Sequence, residues 1–227
     1  MHARLEGWRA GADWAERAAA EAEAFAGFVA STTAPDDGVP SYAQVIGAVN
    51  RHAGPHDYAL TSAGGFPGEL NVNWRSLGIA TFDCEYGFSC MGYEIAGAWG
   101  ARLARSDGDV IAFVGDGSYL MLNSELYSSV LSGQKLVVVV CDNGGFAVIE
   151  RLQTEMGGRS FNTMFGDEAV AVDWAAHAAA LGCRSEAVQT IAELEEALER
   201  ARSADRTEIA AARDRVRVAK ERQRVGW

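Results

Sequence analysis

Two short polar turns, each closing a run of apolar residues, carry the groups whose types and spacing point to chemistry. The first is Gly115-Asp116-Gly117-Ser118, which follows Val110-Ile111-Ala112-Phe113-Val114. A strand that runs into a glycine turn and then a helix offers unpaired backbone N–H groups and a positive dipole to an anion, above all a phosphate. Gly117 lets the main chain approach such an anion closely, whereas the Asp116 carboxylate repels it unless a cation lies between them. The second turn, Asp142-Asn143-Gly144-Gly145-Phe146, follows the apolar run 135–141 and sets Asn143 27 positions after Asp116. If the two runs are neighbouring parallel strands, their carboxyl ends lie side by side and Asp116 and Asn143 face one ion. Mg2+ prefers octahedral oxygen coordination and is often held by one or two protein side chains together with substrate phosphates. An Asp carboxylate, an Asn amide oxygen and a carbonyl freed by the glycine turn supply three oxygens, and a diphosphate supplies two more. Either turn alone is an ordinary turn. Their joint placement, each after a buried strand and with a helix between, makes the metal-diphosphate reading.

The elements that must hold these turns follow from the hydrophobic pattern. Residues 109–114 and 135–141 are nearly unbroken apolar runs, the pattern of strands buried on both faces, and one helix is expected between them over 119–131. Two such strands joined by a helix make a βαβ unit and therefore a parallel sheet. Further strands are expected at 58–62, 78–82 and 184–188. Helices are expected from the Ser41 cap to about residue 50, over 91–105, over 172–181 where Gly182 ends the helix, and over 191–204. The fold class is α/β, a doubly wound, mostly parallel sheet with helices on both faces. Residues 5–29, rich in Ala and Glu with Trp8, Trp14, Phe25 and Phe28, predict a helix with one apolar face, and the polar, Pro-containing stretch 31–40 breaks it. We read 1–40 as a helix and linker belonging to a preceding domain, 41–204 as the domain itself, and 205–227 as an atypical basic tail.

Composition excludes several classes. With 20 Lys and Arg against 31 Asp and Glu, the net charge of −11 makes a nucleic-acid partner a poor fit, because affinity for a phosphate backbone comes from released counterions. No apolar run approaches the length of a bilayer span, and acid appears too early for a secretory signal, so a cytoplasmic protein with no membrane partner is expected. The four cysteines, Cys84, Cys90, Cys141 and Cys183, form no metal-binding spacing and read as small buried hydrophobes. The tail runs against the overall charge: residues 199–227 hold nine Lys and Arg against five Asp and Glu.

The turn Gly115-Asp116-Gly117-Ser118 followed by Asn143 resembles the cofactor motif of thiamine-diphosphate enzymes. The resemblance implies that Asp116, Asn143 and the backbone oxygen of Gly145 bind Mg2+, with Gly115, Gly117 and Ser118 near the diphosphate of thiamine diphosphate. It extends cofactor contact to Gly64, Gly65, Ser89, Cys90, Met91 and Phe146, and it puts Met91 where these enzymes set a bulky apolar side chain under the bent cofactor. One departure is the acidic Asp142 where an Asn is common. Within that superfamily, the runs 63–70, 73–75, 85–97 and 115–126 resemble the trihydroxycyclohexanedione hydrolases of inositol catabolism over about residues 40–200. That likeness implies hydrolytic C–C opening of a cyclic trihydroxy-1,2-dione, with the cofactor as electron sink.

The same resemblance implies incompleteness. The glutamate that activates the cofactor lies in a pyrimidine-binding domain of another subunit, and nothing here matches it, so no catalytic residue is assigned. A homo-oligomer is implied, with the diphosphate half of the site on this chain, which is then inactive alone. A carboligase or decarboxylase of the same superfamily, and a non-catalytic cofactor-binding subunit completed by a partner chain, remain as alternatives. Past residue 204 the family pattern stops; a divergent helix, an interaction arm and an out-of-frame segment each fit, since the stretch shows no buried-strand pattern. Cys90 is expected to be a buried structural thiol, and His52, His56 and His177 to be non-catalytic. Glu94 and Glu125 are read as packing or surface groups, and Trp74 and Arg75 as substrate or interface contacts.

Overall fold

The computed structural model describes residues 7–165 and 172–213. In chain order its elements are α1 (Ala12–Thr33), α2 (Tyr42–His52), β1 (Tyr58–Thr61), α3 (Phe66–Asn73), β2 (Phe82–Cys84), α4 (Tyr93–Ala104), β3 (Val110–Gly115), α5 (Asp116–Met121), α6 (Ser124–Leu131), β4 (Val137–Asp142), α7 (Ala147–Glu155), α8 (Trp174–Ala180), β5 (Arg184–Val188), α9 (Ile191–Ser203) and β6 (Glu208–Arg213). Among the described residues the strands make a six-stranded sheet in the order β2-β1-β3-β4-β6-β5, with every neighbouring pair parallel.

The two apolar runs become central strands because each feeds two cores. In β3, Ile111 and Phe113 join Val49, Phe66 and Trp74 on one face, while Val110, Ala112 and Val114 join Ile95, Tyr119 and Leu126 on the other. β4 divides likewise, with Val137, Val139 and Cys141 on the first face and Val138 and Val140 on the second. Helices α2, α3 and α9 cover the first face, and α4, α6 and α8 the second. Capping boxes set two helix starts: Ser41 with Gln44 opens α2, and Thr190 with Glu193 opens α9. The chain leaves β1 toward β2 on one side, while β3 continues toward β4 on the other. The carboxyl ends of β1 and β3 therefore flank the crevice where open α/β sheets bind ligands.

Several expectations are corrected. The single helix over 119–131 is two, α5 and α6, interrupted at Leu122, whose backbone leaves the helical region at φ −151° and ψ 70°. The break seats Leu122 against Gly92: a Cβ on Gly92 would lie 2.6 Å from the Leu122 Cβ, and φ of +91° there also favours glycine. The strand expected at 78–82 begins only at Phe82, because Thr81 Oγ1 donates to the Gly78 carbonyl at 2.7 Å and closes a turn that leaves Ile79 fully exposed. Helices α3 and α7 were not expected.

The tail expected to lack a strand contains β6, which lies between β4 and β5 with Ile209, Ala210 and Ala211 buried. Helix α1 is shifted along the chain from the expected 5–29, and its apolar residues stay largely at the surface: Val29 is its buried residue, while Trp14, Phe25 and Phe28 are exposed. Residues 1–6 lie outside the described residues, as do 214–227 of the tail. The cysteines divide: Cys141 and Cys183 are buried as expected, Cys84 is half-buried and Cys90 is exposed. No described helix is long and apolar enough to cross a membrane.

Candidate functional site

The ends of β3 and β4 are held level by their register, in which Gly115 pairs with Cys141. Asp116, the next residue of the first strand's turn, is fully buried. Its Oδ1 accepts the Gly117 N–H at 2.8 Å, and its Oδ2 accepts the N–H groups of Gly144 and Gly145 at 2.9 and 2.8 Å. The aspartate thus shapes the loop that carries Asn143. An ionised carboxylate has roughly four acceptor positions, so one remains on Oδ1.

Asn143 is oriented from its other end. Its Nδ2 donates to the Tyr42 hydroxyl at 2.7 Å, and its Oδ1 is buried with no hydrogen-bond partner among the described residues. A buried amide oxygen without a partner costs about 1–3 kcal/mol, so this acceptor is open to an interaction that a ligand could supply. Gly145 stands at φ +135°, in an antiparallel bridge with Met164, and a Cβ there would lie 2.5 Å from the Thr163 carbonyl oxygen. Only glycine fits this position. Phe146 places its ring on Gly117, where a Cβ would come within 2.6 Å of it. Asp116, Gly117, Asn143, Gly145 and Phe146 are therefore gathered in one place.

The remaining expected residues line two adjoining loops. Gly64 and Gly65 follow β1, and the Tyr42 ring that packs on Gly65 belongs to the side chain bonded to Asn143. Met91 is half-buried just before Gly92. The Ser118 hydroxyl turns inward, accepting from the Gly92 N–H and donating to Glu94, each at 2.8 Å, so what Ser118 can offer an anion is its backbone N–H. Ser89 and Cys90 sit on an exposed loop whose shape is set by Glu85, which accepts the N–H groups of Phe88 and Cys90 at 3.0 Å. The expectation of a buried thiol at Cys90 is overturned by that loop. Trp74 and Arg75 also lie elsewhere: Trp74 packs edge-on to Phe113 in the core, and the Arg75 guanidinium stacks over Phe25 of α1.

Sequence reasoning missed Tyr42, which had no signal beyond following the Ser41 cap, and undervalued Glu94. The signal for Glu94 was a single acid at the start of a helix whose next residues, Ile95 and Ala98, face the core. The histidines stay out of the site as expected: His52 pairs with Glu199, His56 with Asp107, and His177 with the Tyr119 hydroxyl.

The electrostatics suit a cation. Burial, with the nearby Asp142 carboxylate adding to it, pushes the Asp116 carboxyl from 3.8 up to about 7, while the Gly117 and Gly145 N–H groups oppose the rise. Among the described residues no group of three or more His, Cys, Asp and Glu side chains can hold a metal. The oxygens gathered here are one carboxylate, one amide and the glycine-turn carbonyls, a set that would suit Mg2+ only together with a ligand's own oxygens.

A pH dependence follows. Below about pH 4 the Asp116 carboxyl is protonated in both folded and unfolded chains, and between about 4 and 7 only the folded chain keeps the proton. Stability of the ligand-free chain should therefore fall across that window, by a few kcal/mol at about 1.4 kcal/mol per pH unit of separation. Thermal melts of the chain and of Asp116→Asn from pH 4 to 8 check this: the variant should lack this part of the slope, and equal slopes would exclude the assignment.

The parallel α/β sheet places a buried Asp and a buried Asn amide oxygen at the carboxyl ends of adjacent strands, the end of the sheet where such folds bind ligands. The family model described as "Thiamine pyrophosphate enzyme, C-terminal TPP binding domain" matches residues 64–210, and the chain belongs to this family. The match runs past residue 204 into β6. Among curated relatives, a 3D-(3,5/4)-trihydroxycyclohexane-1,2-dione hydrolase from Geobacillus thermodenitrificans is 42% identical over 164 residues, covering 68% of this chain and 26% of that protein. A protein of the same name from Bacillus licheniformis is 40% identical over 161 residues, covering 70% and 25%. The chain thus spans about a quarter of the length of the curated relatives it matches. A thiamine diphosphate-dependent 4-hydroxybenzoylformate decarboxylase from Rhodococcus jostii RHA1 superposes with a TM-score of 0.72 over 80% of this chain and 34% of that one. At 19% identity that likeness is one of fold.

Proposed function

We propose that the chain supplies the diphosphate- and Mg2+-binding half of a thiamine-diphosphate-dependent enzyme that hydrolytically opens a C–C bond of a cyclic trihydroxy-1,2-dione in inositol catabolism. The observation that carries the cofactor half is the buried, unpartnered Asn143 Oδ1 beside the buried Asp116. The names of relatives at 40–42% identity support the substrate class. In this reading Asp116, Asn143 and the Gly145 carbonyl hold Mg2+, and Gly115, Gly117 and the Ser118 N–H face the diphosphate. Gly64, Gly65, Ser89, Cys90, Met91 and Phe146 form the walls against which the cofactor lies, with Met91 as the apolar support. When bound, thiamine diphosphate supplies the electron sink for the broken C–C bond. The residues here bind and orient; the activating glutamate is contributed by a pyrimidine-binding domain of a partner subunit, in a cytoplasmic homo-oligomer.

Calorimetric titration and a turnover assay test the reading together. The chain should bind thiamine diphosphate only with a divalent cation, should not turn over the dione alone, and should do so when combined with the preceding domains of such an enzyme. Metal-independent binding would remove the Mg2+ assignment, and turnover by the isolated chain would remove the half-site assignment. A carboligation or decarboxylation product from the combined enzyme would replace the substrate class.

A further inference from the structure

Glu94 stands in the first turn of α4 and is fully buried. A carboxylate there is tolerated only if its oxygens are satisfied. Oε1 accepts the Ala63 N–H at 3.0 Å; Oε2 accepts the Gly92 N–H at 3.0 Å and the Ser118 hydroxyl at 2.8 Å. Burial raises the carboxyl above its ordinary range, and these same donors oppose the rise. The three donors belong to three different segments: the turn after β1, the bend before α4 and the first turn of α5. They are the segments that hold Gly64 and Gly65, Met91, and Gly117 with Ser118.

Met91 lies between two anchored N–H groups. The preceding residue, Cys90, donates its N–H to Glu85 at 3.0 Å, and the following one, Gly92, donates to Glu94 and to Ser118. We infer that Glu94 is a positioning residue for the cofactor site, fixing the mutual placement of the Gly64–Gly65 turn, Met91 and Ser118 while touching neither cofactor nor metal. Its functional consequence rests on the cofactor reading above; its geometric part does not. Glutamine at this position keeps the volume but one acceptor oxygen only. Its amide nitrogen then faces either the Ala63 N–H or the Gly92 N–H, donor against donor, and the linkage opens on one side.

The test uses the full 227-residue chain labelled with 13C-methyl methionine, the Met91 resonance being assigned through Met91→Leu. Glu94→Gln should shift the Met91 resonance and weaken Mg2+-dependent thiamine diphosphate binding at least about 10-fold, the scale seen when groups supporting a metal site are lost. Ser118→Ala, which removes one of the three donors, should shift the same resonance by less. Leu194→Ala, in α9 on the opposite face, should lower the thermal midpoint and leave both readouts unchanged. An unmoved Met91 resonance in Glu94→Gln overturns the proposal, as does a Leu194→Ala variant that moves both readouts equally. If the unsubstituted chain binds no thiamine diphosphate, the cofactor reading fails, while the Met91 resonance of the ligand-free chain still decides the role of Glu94. Should Glu94→Gln not fold, Ser118→Ala decides by the same resonance.

Discussion

Replacing Asp116 with alanine should weaken Mg2+-dependent binding of thiamine diphosphate by more than about 100-fold, because loss of a mere supporting partner of a metal ligand already costs about 10–100-fold. Two effects act together. The substitution removes a charged oxygen from the proposed metal, and it releases the N–H groups of Gly144 and Gly145 that Oδ2 holds at 2.9 and 2.8 Å. The Asn143 loop then loses the anchor that keeps its amide oxygen beside the strand end. Asp116→Asn should fall between, since one oxygen remains. Asp142→Asn should cost far less, because the Gly144 N–H that Asp142 accepts at 3.3 Å is also held by Asp116, and the Asp142 charge works against ionisation of Asp116. Isothermal titration with and without Mg2+ measures all three; equal affinity and equal Mg2+ dependence in Asp116→Ala would end the metal assignment.

That loss need not be accompanied by unfolding. The aspartate is buried, and its raised pKa means that the ionised form is a burden on the ligand-free chain at neutral pH. Removing it leaves three backbone donors without their acceptor but also removes a buried charge, and the two contributions oppose each other. In the proposed reading, a bound cation would turn Asp116 from a burden into a stabilising group. Thermal midpoints with and without Mg2+ and thiamine diphosphate should therefore separate in the unsubstituted chain and coincide in Asp116→Ala.

What made this site legible in the sequence was a coincidence of two patterns rather than either turn. Apolar runs ending at Gly115 and Cys141 announce strands buried on both faces, and a helix-length interval between them makes the strands parallel neighbours. Once they are neighbours, Asp116 and the loop that carries Asn143 meet without further information. The supporting groups were illegible for the opposite reason: their roles come from residues distant in the chain. Tyr42 reaches Asn143 across 101 positions, and Glu94 joins Ala63 to Ser118 from 31 and 24 positions away. The break between α5 and α6 is likewise tertiary. Leu122 and Asn123 carry no strong stop signal, and it is the close approach of Gly92 that draws Leu122 out of the helix.

The strand β6 escaped notice because it has almost no hydrophobic pattern of its own. Glu208, Ile209, Ala210, Ala211, Ala212 and Arg213 contain one large apolar side chain, and alanine and charged residues are depleted in strands. Small side chains fit here because the strand is sandwiched between two others and its neighbours supply the volume. Glu208 is buried at its start near the Arg184 guanidinium, 3.7 Å away, which accommodates a charge where a strand would ordinarily show an apolar residue.

Ending the chain after Ala204 should therefore abolish cooperative unfolding, whereas ending it after Arg213 should preserve the transition. β6 pairs with β4 over six register positions and with β5 over five. Its loss strips β5 of its described strand partner and leaves the buried residues Val137 to Cys141 with an unpaired edge. The Thr207 hydroxyl, which meets Ser129 at 2.8 Å and accepts the Leu136 N–H at 3.3 Å, goes with it. At about 1–3 kcal/mol for each buried backbone group left unpaired, even five such groups reach the whole 5–15 kcal/mol by which domains are stable. Near-ultraviolet circular dichroism during heating distinguishes the two truncations. A chain of residues 1–204 that melts at the full-length temperature would mean that β6 contributes no ladder to the sheet. The effect should also reach the site, because β6 pairs with β4 as far as Asp142, one residue before Asn143. A truncation that leaves β4 at an open edge removes support from the strand that presents the amide, so Mg2+-dependent binding should disappear together with the transition and not after it.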